Sequence, residues 1–517
     1  MKRRDFLKLS TLGAAGMGGL TAQGMPGAAK ASSRPNLLFI FPDQYRLSAM
    51  GFWQQDAFKD ALGTAGDPVV TPAIDRLANE GMVLTQAVST CPVCSPYRGM
   101  LLSGAYPWKN GIVNNCREGR QDGLRHDLPC LTDVLAEEGY ETMYLGKTHW
   151  ERNDPLFDER GDYVCSTEAP GGHRMNAYDT YIPPGAGRHG NRYWFQCVKD
   201  VHKDPRVYSN DPSRINGKRD GEQHRPKIYS PLLEADVLVD YLNNTDQQRD
   251  TSRPFSVIWA PNPPHNPYSS TKDCDEVAYR EHYEGKSNLL CRPNAFNTGV
   301  ESDAANKAGY YFANVTGVDK QVNRVLQALE DSGEAENTIV VFTSDHGEMM
   351  GSHGDFGKLQ LYDEAYRVPF IIRYPGRIQK RIEDLKLSPV DIMPTLLGMM
   401  GLGRAIPSSV AGKDFSEGLL YNDWSQQPKP ASSLYLGYGN RFKGVRTDRY
   451  SFQIDKDGKQ LLFNNEADPY QMKSVALSDI LQADRDFLMS ELGQWLEVSG
   501  DPWFDEKKFA DVIQYPG

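Results

Sequence analysis

Apolar residues come in short runs along this chain, and the polar residues that close each run are as informative as the runs. Asn36-Leu-Leu-Phe-Ile-Phe41 is continuous, the pattern of a strand buried on both faces. It ends in Pro42-Asp43-Gln44. Further strands are expected at 82–88, 141–145, 255–260, 337–342 and 368–374, the last of these closing the larger part of the molecule. Helices are expected between them. Thr71-Pro72 reads as a cap with proline in the first turn, and Gly81 ends that helix. Others are expected just after Cys94, at 131–138, at 232–243 and, with an amphipathic pattern, at 309–329. Beyond a connection at 376–400 come three short strands (433–437, 444–452, 459–463) and a last helix near 479–498.

The loops after these strands hold the candidate chemistry. Sites in open α/β sheets gather in the loops beyond the carboxyl ends of parallel strands. Asp43 and Gln44 follow the first strand, Gly146-Lys147-Thr148-His149 the third and Pro263-Pro264-His265-Asn266-Pro267 the next. Ser344-Asp345-His346-Gly347-Glu348 and then Gly357-Lys358 follow the strand at 337–342. Lys147 and His149, two apart, share one side of an extended segment. The prolines around His265 hold its backbone extended and aim one imidazole. Cys91-Pro-Val-Cys94-Ser-Pro96-Tyr-Arg98 contains a C-x-x-C, which alone is compatible with a redox pair or half a metal site. No second C-x-x-C completes a four-cysteine zinc site. Pro96 suits the first turn of a helix, which puts residue 94 at a helix N-terminus, where N–H groups favour an anion. Arg98, one turn on, can reach back to the same point.

Cys94-Ser95-Pro96-Tyr97-Arg98 resembles the signature of type I sulfatases. Gly146 to His149 resembles that family's second signature, and the other motifs follow in family order over about residues 34–480. The resemblance implies an alkaline-phosphatase-like α/β sandwich with a central, mostly parallel sheet, plus a smaller C-terminal subdomain with an antiparallel sheet and a helix. The implied division is a catalytic part at 32–400, with an insertion at 151–230, and a C-terminal part at 401–517. In the family the cysteine, here Cys94, is oxidised to Cα-formylglycine by a formylglycine-generating or anaerobic sulfatase-maturing enzyme. One hydroxyl of the hydrated aldehyde attacks the sulfur of a sulfate ester. The resemblance further implies one calcium ion held by Asp43, Gln44, Asp345, His346 and an oxygen of residue 94, with His346 either a ligand or a neighbour of the ion. Lys147 and Lys358 then neutralise the sulfate, Arg98 holds the diol, and His265 protonates the leaving oxygen. His149 takes a proton from the second hydroxyl, so that C–O cleavage restores the aldehyde.

Gln44 departs from the pattern, because the family has a second aspartate there. An amide oxygen still ligates calcium, with one negative charge fewer. Related phosphonate monoester and phosphodiester hydrolases share that glutamine and form one alternative. An inactive carbohydrate-binding relative that keeps the Cys94 thiol forms the other. Residues 151–230 are rich in Gly, Pro, Arg, Asp and aromatics without a clear period. So long a loop-rich stretch is functional or mobile. Arg174, Tyr178, His189, Arg192, Tyr193 and Trp194 there suit a charged sugar and equally suit a packed lid.

Residues 1–31 read as an address. Lys2-Arg3-Arg4-Asp5-Phe6-Leu7-Lys8 resembles a twin-arginine export motif, a weakly apolar glycine-rich stretch follows, and Ala29-Lys30-Ala31 fits a cleavage site. That stretch is too weakly apolar for a stable membrane anchor. The expectation is passage through the twin-arginine translocase to the periplasm or beyond. Cleavage would take the formal charge from −11 to −15, which argues against nucleic acid as a partner and requires positive charge to be focused locally for an anionic substrate such as a sulfated carbohydrate. Folded export also fits a buried cysteine that must be oxidised before folding closes over it. Export permits disulfides, and neighbours in sequence suggest Cys116 with Cys130, Cys165 with Cys197 and Cys274 with Cys291.

Overall fold

The computed structural model describes residues 34–117, 120–152, 179–198, 202–286, 289–296 and 303–505. The expected export segment, Cys165, Arg174 and Tyr178 lie outside the described residues.

A nine-stranded sheet forms the centre. Its strands are β1 (Asn36–Ile40), β2 (Met82–Leu84), β3 (Glu141–Gly146), β4 (Tyr193–Val198), β5 (Arg206–Ser209), β6 (Phe255–Ala260), β7 (Thr338–Thr343), β8 (Phe370–Arg373) and β9 (Arg381–Glu383). They lie in the order β5-β4-β3-β6-β1-β7-β8-β2-β9. From β4 to β7 all neighbours are parallel. β5 and β8 run antiparallel to the strands beside them. β1 lies between β6 and β7, with Phe39 opposite Ile258 and Val341.

Alternate residues of these strands point to opposite faces, and both faces are covered. Leu38, Ile40, Val257, Trp259, Val340 and Phe342 pack under the helices Pro72–Glu80, Ser230–Asn243 and Asp303–Asp331. Leu37, Phe39, Ile258, Ile339 and Val341 pack on the other side, under the helices Cys94–Ser103, Leu131–Glu137 and Pro389–Met399. Two buried faces are why the strands read as unbroken apolar runs.

A second sheet holds β10 (Ser433–Leu436), β11 (Phe442–Arg446), β12 (Tyr450–Asp455) and β13 (Gln460–Asn464), antiparallel in sequence order. The helix Gln482–Ser499 lays Leu488, Leu492 and Leu496 against it, the four-residue spacing of one helical face. This sheet is tied to the large one at specific points. The Leu436 amide donates to Thr90 O (2.7 Å), and Arg446 clamps Asp363 through Nε (2.7 Å) and Nη2 (2.8 Å). Among the described residues no helix is long and apolar enough to cross a membrane.

Several expectations need correction. The run at 368–374 does not close the large sheet, since β9 adds a parallel edge beside β2. The stretch read as one strand near 444–452 is a hairpin, β11 turning into β12. The expected insertion contributes β4 and β5 to the sheet edge. There Trp194 is buried against Tyr144 and Trp150, and His189 is buried beside Asp133. Tyr193-Trp-Phe-Gln-Cys-Val198 is a strand run hidden by its Gly- and Pro-rich flanks. The cysteines at 116, 130, 197, 274 and 291 are free thiols. Pairing by sequence distance therefore fails for Cys116 with Cys130 and for Cys274 with Cys291; Cys197 has no partner among the described residues, and its expected partner Cys165 lies outside them. Disulfides need converging Cβ vectors, whereas the Cys130 thiol points to Leu128 O (3.6 Å) at a helix start.

One buried group sets a pH test of the core. Glu234 accepts from Trp259 Nε1 (2.9 Å), tying the Ser230–Asn243 helix to β6, and burial pushes its carboxyl up to about 8. A folded-state value above the unfolded one costs stability that grows as pH rises from about 4 to 8. Glu234→Gln keeps an acceptor for Trp259 and removes that cost. Its melting temperature should match wild type near pH 4.5 and exceed it increasingly towards pH 8, by an amount corresponding to roughly 3–5 kcal/mol. A constant difference across this range would show that Glu234 does not titrate in the fold.

Candidate active site

β3, β6, β1 and β7 are side by side and end at one edge of the sheet, so the loops they launch meet. Gly146 closes β3 at φ 102, where a Cβ would collide with Ala260 O of β6; glycine lets Lys147 and His149 enter the site directly after the strand. Gln44 sits at φ 63, a left-handed conformation uncommon for a side-chain-bearing residue. Its amide donates to Asp345 Oδ1 (3.0 Å) and its carbonyl accepts from the Tyr311 hydroxyl (2.8 Å), which joins the ends of β1 and β7. Cys94 is the first residue of the fully buried Cys94–Ser103 helix, entered from an extended Val93.

All ten residues expected from sequence converge. Cys94 Sγ lies 3.2 Å from His346 Nε2, 3.1 Å from Lys358 Nζ and 3.7 Å from Asp43 Oδ1. Lys358 Nζ also meets Gln44 Oε1 (2.9 Å) and His265 Nε2 (3.1 Å). Lys147 Nζ bonds Asp43 Oδ2. Arg98 differs in its contacts from the expectation. Its Nη2 donates to Asp43 Oδ2 and Asp345 Oδ2 (both 3.1 Å) and its Nη1 to Lys147 O (2.8 Å). It therefore locks the two carboxylates together rather than reaching Cys94.

Hydrogen bonds on the far ring nitrogens assign the histidine tautomers. His346 Nδ1 donates to Gly347 O (2.9 Å), which leaves Nε2 facing Cys94 and Asp43. His265 Nδ1 donates to Asn266 O (2.8 Å), so its Nε2 faces the site. His149 is reversed: Nε2 donates to Cys116 O (3.1 Å), and Nδ1 is buried with no hydrogen-bond partner among the described residues.

The electrostatics are those of closely packed, desolvated charge. Burial alone would push the Cys94 thiol up, but the Lys147 and Lys358 ammoniums and His346 hold it well below its ordinary value. Asp43 is raised by burial and by Cys94, yet Lys147, His265 and Lys358 bring it well below the usual carboxylate range. Asp345 goes the other way, raised by burial and by Asp43. Burial lowers His149.

Ligand atoms of Asp43, Cys94, Asp345 and His346 lie within 4.8 Å of one another. Two carboxylates and an amide oxygen suit a hard divalent cation, with the His346 ring beside them. Sequence reasoning passed over the residue that orients the amide. Glu348 accepts from Gln44 Nε2, and from the Met350 (2.9 Å) and Gly357 (2.6 Å) amides. That fixes which end of the Gln44 amide faces the site and places a carboxyl group, raised by burial, just behind it. The only sequence signal was an acid two residues after His346. Ser89, whose hydroxyl donates to Asp345 O (2.6 Å), and Asn115, which accepts from the Ser95 amide (3.1 Å), gave no signal.

The family model described as Sulfatase matches residues 35–402, and that described as N-sulphoglucosamine sulphohydrolase, C-terminal, matches 351–496. An endo-4-O-sulfatase of Bacteroides thetaiotaomicron is 40% identical, with 96% of this chain and 100% of that protein covered. An ulvan-active sulfatase of Formosa agariphila is 32% identical, covering 93% of this chain and 85% of that one. A solved Bacteroides thetaiotaomicron structure, titled for the metabolism of multiple glycosaminoglycans, superposes with a TM-score of 0.84 at 39% identity over 93% of this chain and 100% of that one. With its motifs meeting at one sheet edge and a family model spanning most of its length, the chain belongs to the type I sulfatase family and is an enzyme that hydrolyses sulfate esters.

Proposed function

We propose that this enzyme removes sulfate from a sulfated polysaccharide or its oligosaccharides, after conversion of Cys94 to Cα-formylglycine and with calcium at the Asp43–Asp345 site. The observation that carries the reading is the position of Cys94 Sγ, in contact with Lys358 and His346 and beside Asp43 in a buried pocket of mixed charge. Cations and a histidine packed around residue 94 suit a nucleophile that works on an anionic ester, because they offset the charge of the group it attacks. The names of related sulfatases support the substrate class: one is ulvan-active, and another is an N-acetylglucosamine-6-O-sulfatase.

When present, the hydrated aldehyde supplies the attacking oxygen and the calcium ion supplies positive charge to a sulfate oxygen. Asp43, Gln44 Oε1, Asp345 and His346 Nε2 would hold the ion. Lys147 and Lys358 hold sulfate oxygens, and their charges count most where burial has removed water. His265, fixed through Nδ1, delivers a proton from Nε2 to the leaving oxygen. His149 Nδ1, the ring atom without a partner, accepts a proton from the hydroxyl at residue 94. Arg98 keeps Asp43 and Asp345 in register.

Gln44 favours a second reading, hydrolysis of phosphonate monoesters or phosphodiesters on this scaffold. Gly146-Lys147-Thr148-His149 weakens that reading, because it resembles the second sulfatase signature. Turnover of an aryl sulfate against an aryl phosphonate separates the two. We further read residues 1–31 as a twin-arginine export signal, so that the mature enzyme acts in the periplasm or outside the cell, with residues 32–400 as the catalytic part and 401–517 as the C-terminal part.

Mass spectrometry of the peptide containing residue 94 should show it lighter than cysteine by the exchange of SH₂ for O. Cys94→Ala should abolish sulfate release while the melting curve stays that of wild type; retained full activity would overturn the nucleophile assignment. His265→Ala should slow sugar sulfates by about 10²–10⁴-fold and nitrophenyl sulfate far less, since a good leaving group needs no proton. Equal losses on both would remove its acid role. Chelation should abolish activity and calcium restore it. Glu348→Ala, which frees the Gln44 amide to turn, should weaken calcium binding about 10–100-fold in a direct titration. Unchanged affinity would show that Glu348 only braces the loop.

A further inference from the structure

Three segments of the chain meet at Trp150, the residue after His149. The Leu124 amide donates to Trp150 O (2.8 Å), and Trp150 Nε1 donates to Gly187 O (3.1 Å). This corner gathers five groups that the sulfate chemistry leaves unused: His126, Cys130, Asp133, Glu151 and His189. Ligand atoms of Cys130, Asp133 and His189 lie within 4.8 Å of one another. The rings of His126 and His189 stand edge to face, 6.2 Å between centroids. A Cβ on Gly187 would meet Glu151 Oε2 at 2.7 Å and His126 Nε2 at 3.1 Å, so glycine is what lets the 187–190 turn close on this group.

Each histidine has one nitrogen held by a carboxylate. His189 Nδ1 donates to Asp133 Oδ2 (3.1 Å), which also accepts from the Cys130 amide (2.9 Å). His126 Nε2 meets Glu151 Oε2 (2.9 Å). A carboxylate behind the ring is the way metal-ligating histidines are oriented. The nitrogen left over on His189, Nε2, keeps a lone pair, is buried, and has no hydrogen-bond partner among the described residues. An unmet polar atom in a dry site costs about 1–3 kcal/mol. The Cys130 thiol is equally buried, and burial with Asp133 beside it holds it well above its ordinary value. Its contact with Leu128 O is long (3.6 Å). No hydrogen bond joins the thiol to His189 Nε2, yet a cation would satisfy both.

We infer that Cys130, His189 and His126 bind a divalent ion of the zinc class, with Asp133 and Glu151 holding the two rings. A thiolate with imidazoles selects a borderline-soft ion such as zinc, whereas calcium takes oxygen ligands. The half-exposed His126 marks the open side; it turns inward to close the shell, and water takes the fourth position. Binding forms a metal–sulfur bond and sends the Cys130 thiol proton to solvent, while both rings ligate as neutral imidazoles. The site shares no residue with the Asp43–Asp345 site. Its role is structural: the ion pins the start of the Leu131–Glu137 helix and the 187–190 turn to the corner that follows Lys147 and His149.

Full-length Cys94→Ala protein in excess calcium tests this, because residue 94 then offers no thiolate and calcium competes for the Asp43–Asp345 site. Cobalt(II) should give a thiolate-to-cobalt charge-transfer band in the near ultraviolet, and zinc should displace it. Zinc should also raise the melting temperature. Adding Cys130→Ser should abolish both the band and the zinc-induced rise. Adding His189→Gln or His126→Gln should weaken zinc binding at least about tenfold in a direct titration, and Asp133→Asn about 10–100-fold. A parent without the band, or a band that survives Cys130→Ser, overturns the site. Zinc affinity unchanged in either glutamine variant overturns the assigned ligands. If Cys130→Ser does not fold, zinc-edge X-ray absorption of the parent decides: one sulfur at about 2.3 Å beside nitrogens at about 2.0–2.1 Å is expected, and a shell without sulfur overturns the site. None of these readouts depends on sulfate turnover.

Discussion

The catalytic edge depends on one buried contact, the Arg98 guanidinium held between Asp43 and Asp345. Two carboxylates fully withdrawn from water at the tips of adjacent strands repel each other at several kcal/mol unless a cation intervenes. Arg98 supplies it from the neighbouring helix, and the ring of Phe41 lies against its guanidinium (4.7 Å). The same guanidinium anchors the Lys147 carbonyl, so β3, β1 and β7 are referenced to one side chain. An arginine in this position works as scaffold first, and the geometry around residue 94 follows from it.

The arrangement shows how a parallel sheet gathers chemistry. Each strand buries both faces and so has no room for function along its length; polar residues accumulate where the strands stop. The order β3, β6, β1, β7 then converts separation in sequence into adjacency in space. Asp43 and Asp345 lie three hundred residues apart in the chain, and Arg98 bonds to both. Unlike charges packed this closely perturb one another: Asp43 is pulled down while Asp345 is pushed up, although both are equally buried.

Much of this was legible in the residues. Unbroken apolar runs marked the central strands because both their faces are covered, and the polar residues closing those runs marked the site. Local signals failed where structure is set by partners distant in sequence. β9 is three residues long and exists only because β2 offers it an edge. β4 and β5 were hidden by the glycines and prolines around them. Cysteine pairing was misjudged because proximity along the chain says nothing of the direction a Cβ points. Glu348 looked like one more loop acid until the fold put it against Gln44. Arg98 was recognised by its spacing from Cys94, but its partners come from other strands.

The contact between Gln44 and Glu348 has an evolutionary side. An aspartate at position 44 beside an unchanged Glu348 would set two anions against each other in dry surroundings, and a neutral residue at 348 beside an unchanged Gln44 would leave the amide without its latch. The two positions are therefore coupled: an exchange at either one removes or opposes what the other side chain does, so a change at one favours a matching change at the other. Descent along this branch should be recorded as covariation of the two positions.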